Sequence, residues 1–413
     1  MDSETLVPEQ GQPGPAQAPL APRHYDCPVY DWTENFGRSV DSISRLIGEV
    51  GLRFKECGLP LARLSVIVRT LHPQVAVVGY SWNGDTGEII EFSGDHQSQS
   101  QESYQRSPVR QIFEGSPGIR RRLLDPDSPR DFPILDDLDA DGMTDYLALP
   151  VPFSDGKSYS CSWATRDPDG FTDEHIARIS QLMPTFSLVL EILAMRTIAR
   201  NLMDTYLGHS AGERVLNGEI YRGVNEAIDA VIWISDLRGF TRLSDEFAPP
   251  VVLGILNDHF ERVGDALGKH GGEILKFMGD SLLAIFPIAS FDSPQQAADS
   301  ALAAAREARA NIATGNRARA EKGLAEIGYG IALHMGEVVY GNIGATDRLD
   351  FTVIGPAVNQ TSRIEALCKT LSRKLLVSSS VAEATSEKLE SLGFQVLRGT
   401  REPQEIFAVP HLD

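Results

Sequence analysis

Two carboxylates give the first chemical signal in this chain. Asp236 follows an apolar run in Ile-Ser-Asp-Leu-Arg-Gly-Phe-Thr, and Asp280 sits at the turn of Lys-Phe-Met-Gly-Asp-Ser. Close carboxylates repel unless a cation lies between them, and paired Mg²⁺ ions are the usual occupants in phosphoryl chemistry. The residues after Asp236, Arg238-Gly239-Phe240-Thr241, lead toward a helix, where backbone N–H groups suit a phosphate. Lys276 stands four residues before Asp280.

The elements that must hold these residues follow from periodicity. A short apolar strand, Ala230 to Ile234, precedes Asp236. Pro249-Pro250 then opens a helix with Val252, Ile255, Leu256, Phe260, Val263 and Leu267 on one face. Ile274–Met278 and Ser281–Phe286 pair as a hairpin around Gly279-Asp280, and an Ala-rich helix runs from about Ser293 to Lys322. A second hairpin is expected from Gly328–Leu333 and Val338–Ile343, then a helix from about Ala357 to Thr370. The order strand, helix, hairpin, helix, strand is that of a ferredoxin-like α+β sandwich, with Asp236 and Asp280 on neighbouring strands.

Four stretches, ISDLRGFT, GGEILKFMGDSLLAIF, GIALHMGEVVYGNIG and FTVIGPAVNQTSRIEA, make residues 224–413 resemble the catalytic domain of the class III nucleotidyl cyclases. The final VLRGTREPQEIFAV is similar to the last hairpin of such domains. The resemblance implies a ferredoxin-like βαββαβ domain that turns ATP into 3′,5′-cyclic AMP and pyrophosphate, with two Mg²⁺ or Mn²⁺ ions per active site. It implies that Asp236, Asp280 and the carbonyl of Leu237 hold metal, that Asn359 orients the ribose and that Arg363 neutralises charge on the α-phosphate. Lys276 and Thr352 correspond to the base-recognition pair, and Gly239, Phe240 and Thr241 to residues beside the phosphates. Adenine presents an acceptor at N1 and a donor amino group, which suits a donating Lys276 and an accepting Thr352 better than guanine does. The alternatives are a guanylate cyclase and a silent nucleotide-binding signalling protein.

Lys276 and Asp280 are too close along a turn to hold the base and the triphosphate of one nucleotide from a single chain. The resemblance therefore implies a homodimer with two equivalent composite sites. Two positions depart from the family pattern. Gly328 stands where many relatives carry an arginine for the distal phosphates, with Arg348 as a candidate substitute, and Pro356 stands where an acidic residue is common.

Residues 23–196 are expected to form a GAF-like α/β sensor domain for an unknown stimulus, with 197–223 a helical linker and 1–22 a Pro-rich disordered tail. The sensor cues are the hairpin YLALPVPFSDGKSYSCSWAT and the helix start GFTDEHIARISQLM. In that helix Ile179, Leu182, Phe186, Val189 and Leu193 fit either a parallel helix pair or packing on their own domain. Asp137 to Gly142 opens like an EF-hand loop, but Ala148 stands where the closing Glu belongs. A net charge of -19 excludes a general nucleic-acid binder. No apolar run is long enough to predict a membrane span, and four scattered cysteines, Cys27, Cys57, Cys161 and Cys368, are expected as reduced thiols in a cytoplasmic protein.

Overall fold

A computed structural model of the chain describes residues 27–221, 223, 225–324, 326–399 and 402–410. The Pro-rich segment over 1–22 lies outside the described residues. The chain divides into two units, Met1–Ile198 and Ala199–Asp413.

The first unit runs α1 (Pro28–Asn35), α2 (Ile43–Glu56), β1 (Arg63–Arg69), β2 (Val75–Asn83), β3 (Ile89–Asp95), α3 (Glu102–Gln105), α4 (Pro108–Phe113), β4 (Ile119–Arg122), α5 (Ile134–Ala140), β5 (Asp145–Pro152), β6 (Ser158–Thr165) and α6 (Asp173–Leu207). Its antiparallel sheet has the order β3-β2-β1-β6-β5-β4. The apolar stripe of α6 packs inward, with Ile179, Leu182, Phe186, Val189 and Leu193 all buried beside Trp163 and Phe54. These residues serve the core of their own unit, not a helix pair. α6 also runs on to Leu207, into the stretch expected to be a helical linker. It is long and apolar enough to cross a membrane by length and composition. Much of that apolar surface is already in contact with its own core.

One expectation for this unit, that all four cysteines are reduced thiols, is overturned. Cys27 and Cys57 form a disulfide with Cα atoms 5.6 Å apart, while Cys161 and Cys368 are free and buried. Cys27 caps the start of α1 and Cys57 the end of α2, so contact between the two helices brings distant cysteines together. The EF-hand-like stretch begins inside α5, because Leu135 and Leu138 bury one helical face. Helical geometry splays Asp137 and Asp139 instead of converging them on one ion, and Ala148 pairs with Ile119 and Ser162 inside the sheet.

The second unit continues with α7 (His209–Leu216), β7 (Asn225–Arg238), α8 (Phe240–Glu246), α9 (Pro249–Lys269), β8 (Glu273–Met278), β9 (Ser281–Pro287), α10 (Pro294–Glu321), β10 (Gly328–Gly344), β11 (Leu349–Ile354), α11 (Pro356–Thr370), β12 (Leu375–Ser378), α12 (Ser379–Ala384), β13 (Glu390–Gln395) and β14 (Gln404–Ala408). The sheet order is β13-β14-β12-β10-β7-β9-β8, with β11 paired to β10. Its heart, β10-β7-β9-β8, is antiparallel throughout, the arrangement expected of a βαββαβ sandwich. Val231 and Trp233 of β7 pack against Val263 of α9 and an alanine stripe of α10 that includes Ala301 and Ala305. The small alanines let that helix lie close to the sheet, and each fully buried Val- or Phe-sized side chain contributes about 1.5–3 kcal/mol. On the other face, Ile232 packs with Leu275, Val353 and Ala357.

The hairpin expected within 328–343 is instead one seventeen-residue strand. β7 templates it without a break, from Gly328 opposite Arg238 to Gly341 opposite Asn225. Gly336, which resembles a turn residue, stays in the ladder opposite Ala230. The true partner hairpin forms later, between β10 and β11.

Candidate active site

Near the end of β7 the ladder puts Asp236 opposite Ser281 of β9 and Gly330 of β10. The Ser281 hydroxyl donates to the Asp236 carboxylate at 2.5 Å. Asp280 precedes Ser281 in a two-residue loop closed by the Met278–Ser281 pair. Gly279, the first loop residue, has φ of 65°, a conformation glycine adopts without steric cost. The hairpin thus delivers Asp280 beside Asp236. Burial first, and the Asp236 charge second, hold the Asp280 carboxyl above its ordinary range.

Both carboxylates line a cleft of about 850 Å³ together with Leu237, Gly239, Phe240 and Thr241. Gly239 has φ of 74° and turns the chain out of β7 into α8. The Leu237 side chain is buried against Ile255 and Ile327, which anchors this end of the strand. In the wall of the cleft, Arg238 pairs with Glu365 of α11 at 2.8 Å. Gly330 makes room for that pair, since a Cβ there would lie 2.1 Å from the Arg238 guanidinium and 2.5 Å from the Glu365 carboxylate. Burial leads in raising the Glu365 carboxyl, against the nearby Arg238 charge, and Asp236 and Asp280 push it further.

Lys276 lies elsewhere. It lines a second cleft of about 700 Å³ with Glu273, Phe277, Asp204, Asp350 and the glycines at 264, 268, 271 and 272. Its ammonium donates to the Asp350 carboxylate. Asp350 and Thr352 are two apart on β11, so they share a face of the strand. Thr352 is buried opposite Gly341. Asn359 is exposed and Arg363 half-buried on α11, and neither lines the two clefts described here.

The structure therefore gathers Asp236, Leu237, Gly239, Phe240, Thr241 and Asp280 and separates them from Lys276 and Thr352 within one chain. Sequence reasoning missed Asp350, Glu365 and the cations Lys369, Arg373 and Lys374 that line the first cleft. Asp350 had a signal in its i, i+2 relation to Thr352. Glu365 became visible only through its contact with a strand 127 residues away.

No group of three or more His, Cys, Asp or Glu side chains that could hold a metal occurs among the described residues. Asp236 and Asp280 still fit a hard divalent ion. They are adjacent and half-buried, and the Asp236 charge helps to hold the Asp280 carboxyl above its ordinary range, a repulsion that a bound cation would relieve. An all-oxygen donor set suits Mg²⁺ or Mn²⁺.

The site is thus an antiparallel α+β sandwich with two carboxylates, Asp236 and Asp280, at the ends of adjacent strands. Residues 224–409 match the family model of the adenylate and guanylate cyclase catalytic domain, and through this domain the chain belongs to the class III nucleotidyl cyclases. The chain is 37% identical over 158 residues to an adenylate cyclase of Anabaena cylindrica, covering 38% of this chain and 30% of that protein. It is 34% identical over 238 residues to an uncharacterized protein of Mycobacterium tuberculosis (strain CDC 1551 / Oshkosh), covering 56% of this chain and 40% of that protein. The chain thus spans less than half the length of these curated relatives. Among solved structures, the guanylyl cyclase Cya2 is 32% identical with a TM-score of 0.40, covering 44% of this chain and 92% of that one. The adenylyl cyclase CyaB from P. aeruginosa is 24% identical with a TM-score of 0.41, covering 44% and 94%.

Proposed function

We propose that the chain is an adenylate cyclase that makes 3′,5′-cyclic AMP and pyrophosphate at sites assembled from two copies. One observation carries this reading: Asp236 with Asp280, and Lys276 with Asp350, line different clefts of the same chain. A nucleotide held by both groups needs one cleft from each of two chains.

In this reading Asp236, Asp280 and the Leu237 carbonyl hold two Mg²⁺ or Mn²⁺ ions, whose chemistry is to acidify the ribose 3′-hydroxyl and bind the triphosphate. Gly239, Phe240 and Thr241 wall the phosphate side of that cleft. From the second copy, Asn359 orients the ribose and Arg363 offsets charge building on the α-phosphate. Lys276 donates to adenine N1, and Thr352 accepts from the amino group. Asp350, which accepts from Lys276, adds an acceptor to the same wall. The N-terminal unit is assigned as a GAF-like sensor that acts on the catalytic dimer. Its six-stranded antiparallel sheet and its close-packed helices support a separately folded module.

The test is purified chain with ATP or GTP and Mg²⁺ or Mn²⁺, scored for cyclic nucleotide and pyrophosphate. Cyclic AMP formed faster than cyclic GMP supports the assignment. The opposite order makes it a guanylate cyclase, and no product with either metal leaves a binding role.

A further inference from the structure

The cleft around Asp236 and Asp280 has a charge that the carboxylates alone do not account for. Five cationic side chains, Arg238, Arg242, Lys369, Arg373 and Lys374, line it against those two acids. The whole chain carries a net -19, so this is a local reversal of sign. Arg238 is engaged by Glu365 at 2.8 Å, and exposed Arg242 lies 3.8 Å from Glu246 one turn along α8. The other three come from a single short segment where α11 ends.

That segment is held by its backbone. The Arg373 N–H donates to the Cys368 carbonyl at 2.9 Å and the Ser372 N–H to the Lys369 carbonyl at 3.4 Å. Ser372 has φ of 52°. This is the doubly bonded helix ending with a left-handed residue just past the helix. It turns the chain back, so that Arg373 and Lys374 follow Lys369 along the same cleft wall. β12 begins at the next residue, Leu375, and the Lys374 carbonyl accepts from the Ile331 N–H of β10 at 2.8 Å. The far side of the turn is therefore fixed to the catalytic sheet.

The arginine expected for the distal phosphates is absent here. Gly328 lies opposite Arg238, and a Cβ there would already come within 3.0 Å of the Arg238 Cβ. Arg348, the candidate substitute, sits in the turn between β10 and β11 and does not line this cleft. We propose that Lys369, Arg373 and Lys374 seat the β- and γ-phosphates of the substrate and then the pyrophosphate, a role that rests on the cyclase reading. When the 3′-oxygen bonds to the α-phosphorus, its proton passes to solvent water and the α-phosphorus–bridging-oxygen bond breaks. The electron pair stays on the departing oxygen, and the three cations offset that charge.

The experiment uses the full chain with both Arg373 and Lys374 replaced by Ala, beside Arg373→Gln and Lys374→Gln singly in case the pair folds poorly. Lys322→Ala, at the equivalent end of α10 and outside the cleft, is the control. The expected result is a KM for Mg·ATP raised about tenfold or more, with the pyrophosphate inhibition constant raised by a similar factor. Arg373→Lys recovers part of the loss, Lys322→Ala changes neither value, and melting temperatures stay level. Calorimetry with Mg²⁺ and inorganic pyrophosphate, without nucleotide, reads the same seat independently of turnover. If the wild type makes no cyclic nucleotide, the cyclase reading falls. Pyrophosphate binding that is lost in the Arg373/Lys374 variant would still uphold the seat. KM and pyrophosphate affinity within twofold of wild type in a folded variant would overturn the proposal.

Discussion

The two clefts of the catalytic unit have opposite electrostatic character. The one at the end of β7 carries five cations against two carboxylates, whereas the one at β8 carries Lys276 against Asp204, Glu273 and Asp350. A triphosphate has several negative charges, which suits the first. A nucleobase is neutral with mixed donors and acceptors, which suits a lysine beside acceptors in the second. On the proposed reading the difference reconciles an acidic chain with an anionic substrate: the field at each wall, not the net charge, sets what binds. It also gives each chain two unlike clefts, the basis on which a nucleotide shared between two chains is proposed.

The largest effect is expected at the carboxylate pair. Asp236→Asn should lower cyclic nucleotide formation at least a thousandfold, on the order of 4 kcal/mol in the transition state, with the fold intact by circular dichroism. Arg363→Ala should be similarly inactive. Mixed and allowed to exchange partners, the two dead variants should recover about a quarter of wild-type activity, since half the dimers are mixed and each holds one intact site. A mixture that stays dead would mean that both clefts serve one chain.

In the other cleft the expected change is in selectivity. Lys276→Glu replaces a donor to adenine N1 with an acceptor, which suits the N1–H of guanine. The ATP-to-GTP ratio of kcat/KM should fall about a hundredfold, roughly 2.7 kcal/mol. Steady-state assays with both nucleotides check it, and an unchanged ratio would remove Lys276 from base recognition.

The difference between the clefts was partly readable in the sequence. The Gly-Asp turn and the apolar strand before Asp236 are local, so the carboxylate pair and the strand order around it were within reach. So were α9, α10 and α11, each opened by proline near its first position. The basic run at 369–374 was not, because cations at a helix end complement its dipole wherever the helix points. Only the Ser372 turn and the β12 pairing put them beside Asp236. The continuous β10 was missed for a similar reason: its Gly336 reads as a turn until a fourteen-residue partner strand is known. Cys27 and Cys57, 30 residues apart, meet through helix packing and not through any spacing rule.

A third test separates the clefts from the sheet that carries both. His334 lies within β10, buried, with its ring 3.3 Å from the Ser380 hydroxyl, and burial pushes its pKa down to about 4. The unfolded imidazole titrates near 6.5, so the folded state binds fewer protons between those values. Its stability contribution is full above about pH 6.5 and is lost as pH falls toward 4. Between pH 7.5 and 5 the wild type should lose about 2 kcal/mol more than His334→Gln in urea denaturation. Equal losses would show that His334 does not titrate differently on unfolding.

The smallest effect should have opposite signs in the two clefts. Without metal, Asp280 is held above its usual range by burial and by the Asp236 charge, so its ionised form opposes folding at neutral pH. Asp280→Asn removes that charge and should stabilise the metal-free chain by roughly a few tenths of a kcal/mol after solvent screening. The gain should be present above the ordinary carboxylate range and vanish below it, because the wild-type carboxyl is then neutral as well. Asp350→Asn instead removes the partner of Lys276, an ion pair whose side chains are 40% and 46% exposed. It should destabilise by about 0.2–1 kcal/mol, less at high salt. Melting in EDTA and again in Mg²⁺ reads both. Mg²⁺ should raise the wild-type and Asp350→Asn midpoints but not that of Asp280→Asn, because only the β7 cleft has a carboxylate pair to neutralise. A Mg²⁺ response that survives Asp280→Asn and disappears in Asp350→Asn would exchange the roles of the two clefts.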